Sequence, residues 1–156
     1  MSQSHGSFKK TVLVDLDGTL ADYSNGFQGI DHIGEPIPGA VAFTQRLSEF
    51  ARVVIYTTRC KAYPEGVPGP DGVPEPNRSS PDHLAGIVQS WLDKGGFVYD
   101  EIYIGQGKPI AACIIDDRAV VCRPQSPFVN DAHSEDGIEG VYREALLSAK
   151  NFCGVT

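Results

Sequence analysis

The chain has 156 residues, of which 41% are hydrophobic and 21% charged, and its formal net charge at pH 7 is -7. This length is typical of one domain with one core, and the ordinary composition excludes a disordered or fibrous chain. An acidic balance argues against a broad nucleic-acid surface, which would rely on many Lys and Arg side chains, although a local basic pocket remains compatible with it.

The cysteines and the apolar runs indicate the cellular setting. Four cysteines, at positions 60, 113, 122 and 153, form no C-x-x-C pair, and no leader with a long apolar core precedes them. This usage predicts reduced thiols and a cytoplasmic protein. The longest apolar runs have the length of strands, below the roughly 20 residues that span a bilayer, so we expect no membrane partner.

The first third of the chain predicts two buried strands with a loop and a helix between them. Residues 1–10 are polar and predict a flexible tail, whereas the β-branched run 11–16 predicts a strand buried on both faces. Residues 18–35 carry four glycines and predict an extended loop or a short hairpin. Apolar spacing predicts an amphipathic helix over 37–51, and a second buried strand follows over 52–57.

A Pro/Gly-rich segment separates these elements from the rest of the chain. Residues 60–81 hold six of the eleven prolines, which predicts one long loop. A helix is predicted from Ser80-Pro81-Asp82 to Lys94, with Gly95-Gly96 ending it. The remaining predicted elements are short strands over 101–105 and 111–116, a third candidate strand over 119–123, and a last helix over 135–150.

The alternation of strands and helices favours an α/β fold, with a doubly wound, mostly parallel sheet in a three-layer α/β/α arrangement. We expect a single domain over residues 11–156. Ligands of such folds bind at the carboxyl ends of the strands, and each predicted strand end carries polar side chains. The set is Asp15, Asp17, Thr57, Thr58, Arg59, Lys108, Asp116 and Asp117.

Two acids at the end of a buried strand need a compensating charge. Crowded carboxylates raise one another's pKa, and burial adds to the free-energy cost of ionising them. A bound cation is the obvious candidate, and carboxylate oxygens suit Mg²⁺. Each motif also has a purely structural interpretation, and the joint placement favours chemistry. The structural alternatives are a hairpin turn at Asp17-Gly18, ordinary strand-end residues at Thr57 and Thr58, a solvated charge at Lys108, a helix cap at Asp116-Asp117 and an ion pair at Arg59.

Four short motifs resemble those of haloacid dehalogenase (HAD) superfamily phosphatases. They are Asp15-Leu16-Asp17-Gly18-Thr19, Thr57 after VVIY, Lys108, and Asp116-Asp117 after ACII, and they occur in the family's order at roughly its spacing. The resemblance spans residue 11 to about residue 123 and looks closest to polynucleotide phosphatase domains and capsule-biosynthesis-type phosphatases. It implies a Rossmann-like core and a Mg²⁺-dependent phosphomonoester hydrolase that forms an aspartyl-phosphate.

The resemblance also implies roles for the acids. Asp15 would be the nucleophile, with its other oxygen on Mg²⁺. Asp17 would act as general acid and then base, with its backbone carbonyl on the metal and its pKa raised by neighbouring acids. Asp116 would complete the metal coordination, and Asp117 would contact the ion as a second ligand or through water.

The remaining motif residues would bind the substrate. Thr57 and Lys108 would hold the transferred phosphoryl oxygens, and Gly18, Thr58 and Arg59 are further candidate substrate contacts. Residues 20–52 leave no room for a cap domain, so we expect a nearly capless enzyme with an open site, whose entry is shaped by the 60–81 loop.

The substrate and the class of protein stay open. A small phosphorylated metabolite, such as a sugar phosphate or a nucleotide, suits the acidic charge, and a polynucleotide end is the alternative. A monomer or a homodimer is compatible with the sequence. A signalling receiver module also joins acids, Thr and Lys around Mg²⁺, although it needs no second acid at position 17, and a non-catalytic scaffold would need none of these acids.

Overall fold

The structure is a computed structural model that describes residues 8–60, 80–105, 107–119, 122 and 137–155. The chain divides into two compact units, residues 1–117 and 118–156, and each is described by itself. The single domain expected over 11–156 therefore stays a prediction. Nearly all of the 60–81 loop and most of the candidate strand 119–123 lie outside the described residues.

The first unit contains a four-stranded, fully parallel sheet. Its strands are β1 (Lys10–Val14), β2 (Ala51–Ile55), β3 (Glu101–Ile102) and β4 (Cys113–Ile115), in the order β3-β2-β1-β4. The α/β class and the parallel sheet predicted from the sequence are thus confirmed. Because Lys10 pairs with Ala51 in β1, the flexible tail predicted for 1–10 is wrong at this residue.

Two helices of the first unit connect these strands. Helix α1 (Ala40–Ser48) begins later than the predicted residue 37, because Ile37 donates its backbone N–H to Leu20 and Gly39 takes a left-handed φ of 90° at the helix start. Helix α2 (Pro81–Gly95) has the predicted bounds, with Ser80 as its N-cap and Gly96 in the left-handed conformation after it.

Both helices contribute to the same core. Alternate residues of β1 and β2 share one face of the sheet, since successive side chains of a strand point to opposite faces. Val12, Val14, Val53 and Ile55 on that face join Ala40 and Leu47 of α1 and Val88 and Leu92 of α2 in one buried cluster. Leu13 and Val54 point to the opposite face and are also buried, which confirms that these strands are covered on both sides.

Strand β3 is shorter than the predicted 101–105. Its partner β2 ends at Ile55, and the chain then turns into a short 3-10 helix at Thr58–Cys60. The last ladder bond is therefore donated by the N–H of Tyr103 to the carbonyl of Ile55 at 2.9 Å. Among the described residues, no strand continues beside residues 104 and 105.

The second unit contains one described helix, α3 (Gly137–Cys153), in place of the predicted 135–150. Residues 135 and 136 lie outside the described part of the chain. Within the described ranges, no helix combines the length and the apolar character needed to cross a bilayer.

Candidate active site

The strand order reverses at β1, and this reversal locates the site. The chain passes from β1 to β2 to β3 in one direction and then places β4 on the other side of β1. In open parallel sheets such a reversal leaves a crevice at the carboxyl ends of the strands. Strand β1 ends at Val14 and β4 at Ile115, so Asp15 and Asp116 are the first residues beyond those ends.

Three carboxylates meet at this point. Asp15, Asp116 and Asp117 each offer an oxygen that lies within 4.8 Å of the other two. The backbone N–H of Asp15 donates to the carbonyl of Ile115 at 2.9 Å, which continues the β1–β4 ladder up to the acids. Among the described residues, this is the only group of three His, Cys, Asp or Glu side chains with the spacing of a metal site.

The surroundings of Asp15 disfavour its charged form. Burial is the largest cause and raises the pKa of the Asp15 carboxyl from 3.8 to about 8. The N–H of Leu16 opposes this rise, whereas the charge of Asp116 and a hydrogen bond with Asp117 add to it. Neighbouring acids thus raise the pKa of Asp15, as expected, but desolvation by burial contributes more to the rise than Asp116 and Asp117 do.

Gly18 fits closely against the acid cluster. Its φ is +82°, and a Cβ built on it would overlap the carboxylate of Asp117. The N–H of Gly18 donates to the carbonyl of Ala21 at 2.8 Å, while Leu16 accepts from the N–H groups of Leu20 and Ala21. The predicted turn at Asp17-Gly18 therefore exists, and it presses the chain against Asp117.

The carboxylate of Asp17 lies in a different environment. Arg59 donates Nε to Oδ2 at 2.6 Å and Nη2 to Oδ1 at 3.0 Å, so both oxygens of Asp17 are hydrogen-bonded to one guanidinium. The side chains are only 14% and 7% exposed for Asp17 and Arg59. The Asp17 carboxylate is therefore paired with a cation, which the expectation of crowding by neighbouring acids did not include. The ion-pair interpretation of Arg59 is confirmed, with a partner that the sequence did not identify.

Arg59 also ties Asp17 to the loop between β1 and α1, which we call the flap (residues 22–35). The Nη1 of Arg59 donates to the carbonyl of Gly29 at 3.2 Å, and its guanidinium carbon lies 5.2 Å from the ring centre of Phe27. Such cation–π contacts add to the attraction of a guanidinium for its surroundings. Contacts with Gly29 and Phe27 of the flap therefore also hold Arg59 in its position beside Asp17.

Thr57 and Thr58 lie beyond the end of β2, so the interpretation as ordinary strand residues is wrong. Thr57 is buried, and its Oγ1 accepts from the N–H of Arg59 at 3.2 Å. Thr58 is exposed and opens the short 3-10 helix. The Thr57 hydroxyl thus fixes the turn that carries Arg59, while its own proton remains available for donation.

Lys108 lies in the connection between β3 and β4 and is exposed. In the part of the chain that the structure describes, no hydrogen bond or ion pair joins it to another residue. The structure therefore does not bring Lys108 into contact with the acid cluster. Its phosphoryl-binding role stays a prediction.

The flap forms a short hairpin, one of the two conformations expected for it. Ala21 and Pro36 form an antiparallel bridge, and Asp22 donates its N–H to the carbonyl of Glu35 at 2.8 Å. The hairpin lines a cavity of about 180 Å³ that is open to solvent and whose lining includes Arg59. Sequence patterns did not predict this cavity, since its lining residues have no motif spacing.

One further buried group went unnoticed in the sequence. The Oγ1 atom of Thr19, next to Gly18, is buried and has no hydrogen-bond partner among the described residues. Buried hydroxyls normally have a hydrogen-bond partner, so burying this hydroxyl without one lowers the stability of the folded turn.

No protein-family model matches the chain, and no curated protein matches it.

The raised pKa of Asp15 predicts how stability depends on pH without metal. Between pH 4 and pH 8 the unfolded chain loses the Asp15 proton while the folded protein keeps it, so stability falls with rising pH and levels off above about 8. Asp15→Asn removes this penalty. With chelator at pH 8, we expect the variant to melt at least about 3 °C higher than the wild type, the effect of roughly 1 kcal/mol in a domain of this size.

The measurement is the melting temperature of both proteins from pH 5 to pH 9, with and without Mg²⁺. Titrating groups that do not interact with Asp15 cancel in the difference between the two curves. Mg²⁺ should raise the melting temperature of the wild type at pH 8 more than that of the variant. Parallel curves at all pH values would contradict the assigned environment of Asp15.

The close approach of Gly18 to Asp117 predicts a position-specific effect on metal binding. Gly18→Ala should strain the backbone and displace the Asp117 carboxylate, weakening Mg²⁺ binding by about tenfold. Gly26→Ala is the matched control, because Gly26 has a similar φ of +70° but nothing lies within 4 Å of its added Cβ. Calorimetric titration with Mg²⁺ distinguishes them, and equal affinities in both variants would refute the role of this contact.

Proposed function

We propose that the protein is a Mg²⁺-dependent phosphomonoester hydrolase that works through an aspartyl-phosphate on Asp15. The observation that carries the proposal is the cluster of Asp15, Asp116 and Asp117 at the carboxyl ends of the adjacent parallel strands β1 and β4. The resemblance of the four motifs to HAD phosphatases supports the same chemistry. It also supports a three-layer, capless architecture in one domain, and the cysteine usage supports a cytoplasmic location; all of these belong to the proposal.

The donor set fits magnesium. Three carboxylates supply the hard oxygen ligands that this ion prefers. Burial first, and then the neighbouring acids, raise the pKa of Asp15, and a bound cation would offset both effects. Asp15 and Asp116 would hold the ion together with the backbone carbonyl of Asp17, and Asp117 would contact it directly or through water. Bound there, the ion would neutralise charge on the phosphoryl oxygens and favour the ionised nucleophile.

Asp15 and Asp17 divide the chemistry between them. An ionised Asp15 oxygen attacks phosphorus, and the bond to the leaving oxygen breaks as Asp17 protonates that oxygen. Asp17 then takes a proton from water, which attacks the aspartyl-phosphate, releasing inorganic phosphate and restoring the Asp15 carboxylate. Both oxygens of Asp17 are bound by Arg59 in the structure, so the ion pair must open and Asp17 must take up a proton from solvent before it can donate.

The remaining motif residues would orient the phosphoryl group. Thr57 would donate its hydroxyl to a transferred oxygen, and Lys108 would neutralise charge after its loop moves toward the acids. Thr58 is exposed beside Thr57 and would contact the substrate at the entrance. The substrate is a small phosphorylated metabolite, such as a sugar phosphate or a nucleotide, with a polynucleotide end as the alternative.

One observation favours a second candidate, a phospho-aspartate receiver module. Arg59 binds both oxygens of Asp17, the acid that an enzyme would need for turnover. A receiver needs no acid at that position. A receiver would accept a phosphoryl group on Asp15 and keep it. The two candidates therefore differ in the number of turnovers rather than in the first step.

Turnover of p-nitrophenyl phosphate tests the proposal. We expect many turnovers per chain with Mg²⁺, none with chelator, and a loss of about 10³-fold or more in Asp15→Asn, because the nucleophile is gone. Asp82→Asn is the matched control, since it makes the same change at an exposed position in the first turn of α2. A single phosphoryl group retained per chain would instead identify the receiver.

The role of Asp17 has its own test. Asp17→Asn should slow turnover by about 10²-fold or more, because it removes proton transfer to the leaving oxygen. Mg²⁺ should still raise the melting temperature of this variant, since the carbonyl at position 17 and the carboxylates of Asp15, Asp116 and Asp117 remain. Full activity in Asp17→Asn would show that the acid and base role is wrong.

A further inference from the structure

Backbone and side-chain hydrogen bonds hold the flap around the cavity in place. The carbonyl of Gly34 accepts from the indole Nε1 of Trp91 at 3.0 Å, which ties the outer arm of the hairpin to α2. The bridge between Ala21 and Pro36 and the bond from Ile37 to Leu20 close the base of the hairpin. The cavity is thus a preformed feature of the first unit and not a gap between loose segments.

The lining of the cavity is polar and rich in hydrogen-bonding groups. Asn25, His32 and Glu35 line it from exposed positions, and their side chains make no hydrogen bond to another described residue, so they are accessible to a ligand. Gln28 also lines it and donates its amide to the carbonyl of Asn25 at 2.7 Å, which leaves its amide oxygen as an acceptor. The cavity therefore offers amide, imidazole and carboxylate groups at once.

The charge of the lining disfavours an anionic guest. Asp22 and Glu35 contribute carboxylates, and the N–H and hydroxyl of Ser24 lower the pKa of Asp22, which favours its charged form. Arg59 contributes to the lining, but its guanidinium already binds the Asp17 carboxylate and the carbonyl of Gly29, so its charge is largely balanced by Asp17. No lysine contributes to the lining. A second phosphate would find little compensation there.

The cavity adjoins the residue proposed to protonate the leaving oxygen. Arg59 lines the cavity and binds Asp17 directly, so the two are separated by one guanidinium group. The leaving group of the reaction must lie next to that acid. The cavity is therefore suitably placed to receive the leaving group.

We infer that the flap cavity is the leaving-group subsite and that it takes a single, uncharged, polyhydroxylated ring, so that the substrate is a monosaccharide phosphate. The inference rests on the proposed function. A volume of about 180 Å³ lies below the range of roughly 300–1,000 Å³ that encloses drug-sized ligands, which favours one ring over a nucleoside. Paired amide and carboxylate groups are the partners that neighbouring hydroxyls require.

The kinetic test compares esters that share the phosphoryl group and differ in the leaving group. The panel is glucose 6-phosphate, ribose 5-phosphate, a nucleoside 5′-monophosphate, and oligonucleotides with a 3′- or 5′-phosphate, each with p-nitrophenyl phosphate as reference. We expect kcat/KM for a sugar phosphate to exceed that for both oligonucleotides by tenfold or more, because a pocket built for hydroxyl groups rejects ligands that lack them or add charge.

Two flap variants test the subsite itself. Glu35→Gln and Asn25→Ala should each lower the ratio of kcat/KM for the preferred sugar phosphate to that for p-nitrophenyl phosphate by about tenfold. Glu49→Gln, an equal change at an exposed position just after α1, should leave the ratio unchanged. A preference for a nucleotide or an oligonucleotide, or an unaltered ratio in both flap variants, would overturn the inference.

A binding measurement separates this inference from the proposed function. Trp91 is the only tryptophan in the chain, and its indole bonds to the cavity wall at Gly34, so its fluorescence reports on occupancy. Titration of Asp15→Asn with glucose 6-phosphate or ribose 5-phosphate should change the emission, and Glu35→Gln in the same background should weaken the response. A response without turnover of any ester would refute the phosphatase alone, whereas turnover without a response would refute the subsite alone. Failure of both would overturn both.

Discussion

The parallel pairing of β1 with β4 brings the acids together. The N–H of Asp15 donates to Ile115 at 2.9 Å, so the ladder continues to the residue where the acids begin. Asp15 and Asp116 follow neighbouring strands that run in the same direction, and their carboxylates have no freedom to separate widely. Core packing of Leu13 and Val14 holds β1 in this position, so burial energy opposes the repulsion between the acids.

The two acids of the Asp15-x-Asp17 motif are compensated in different ways. Asp17 has an internal cation, since Arg59 binds both of its oxygens in a largely buried pair. Asp15 pairs with no cationic side chain in the described ranges, and its pKa is raised to about 8. Two positions separated only by Leu16 thus give one carboxylate that is paired with a cation of the protein and one acid without such a partner in the described ranges. This difference is the physical basis of the proposed magnesium site.

The ion pair also connects the chemistry to the flap. Arg59 is held by the turn that Thr57 stabilises, by Gly29 and by the ring of Phe27, so it links the end of β2 to the hairpin. A ligand in the flap cavity would contact the same guanidinium that binds Asp17. In the proposed mechanism, occupation of the cavity and release of Asp17 are therefore parts of one event.

Short-range patterns in the sequence determined the parallel α/β sheet, the bounds of α2 and the positions of the acids after β1 and β4. These features follow from capping residues, apolar runs and strand ends, which act over a few residues. The tertiary structure alone decided that Arg59 pairs with Asp17, 42 residues away, and that Trp91 bonds to Gly34, 57 residues away, at the wall of the cavity. It also shortened β3, because the end of β2 removed its partner. Contacts of this kind depend on how distant segments pack, which no local propensity encodes.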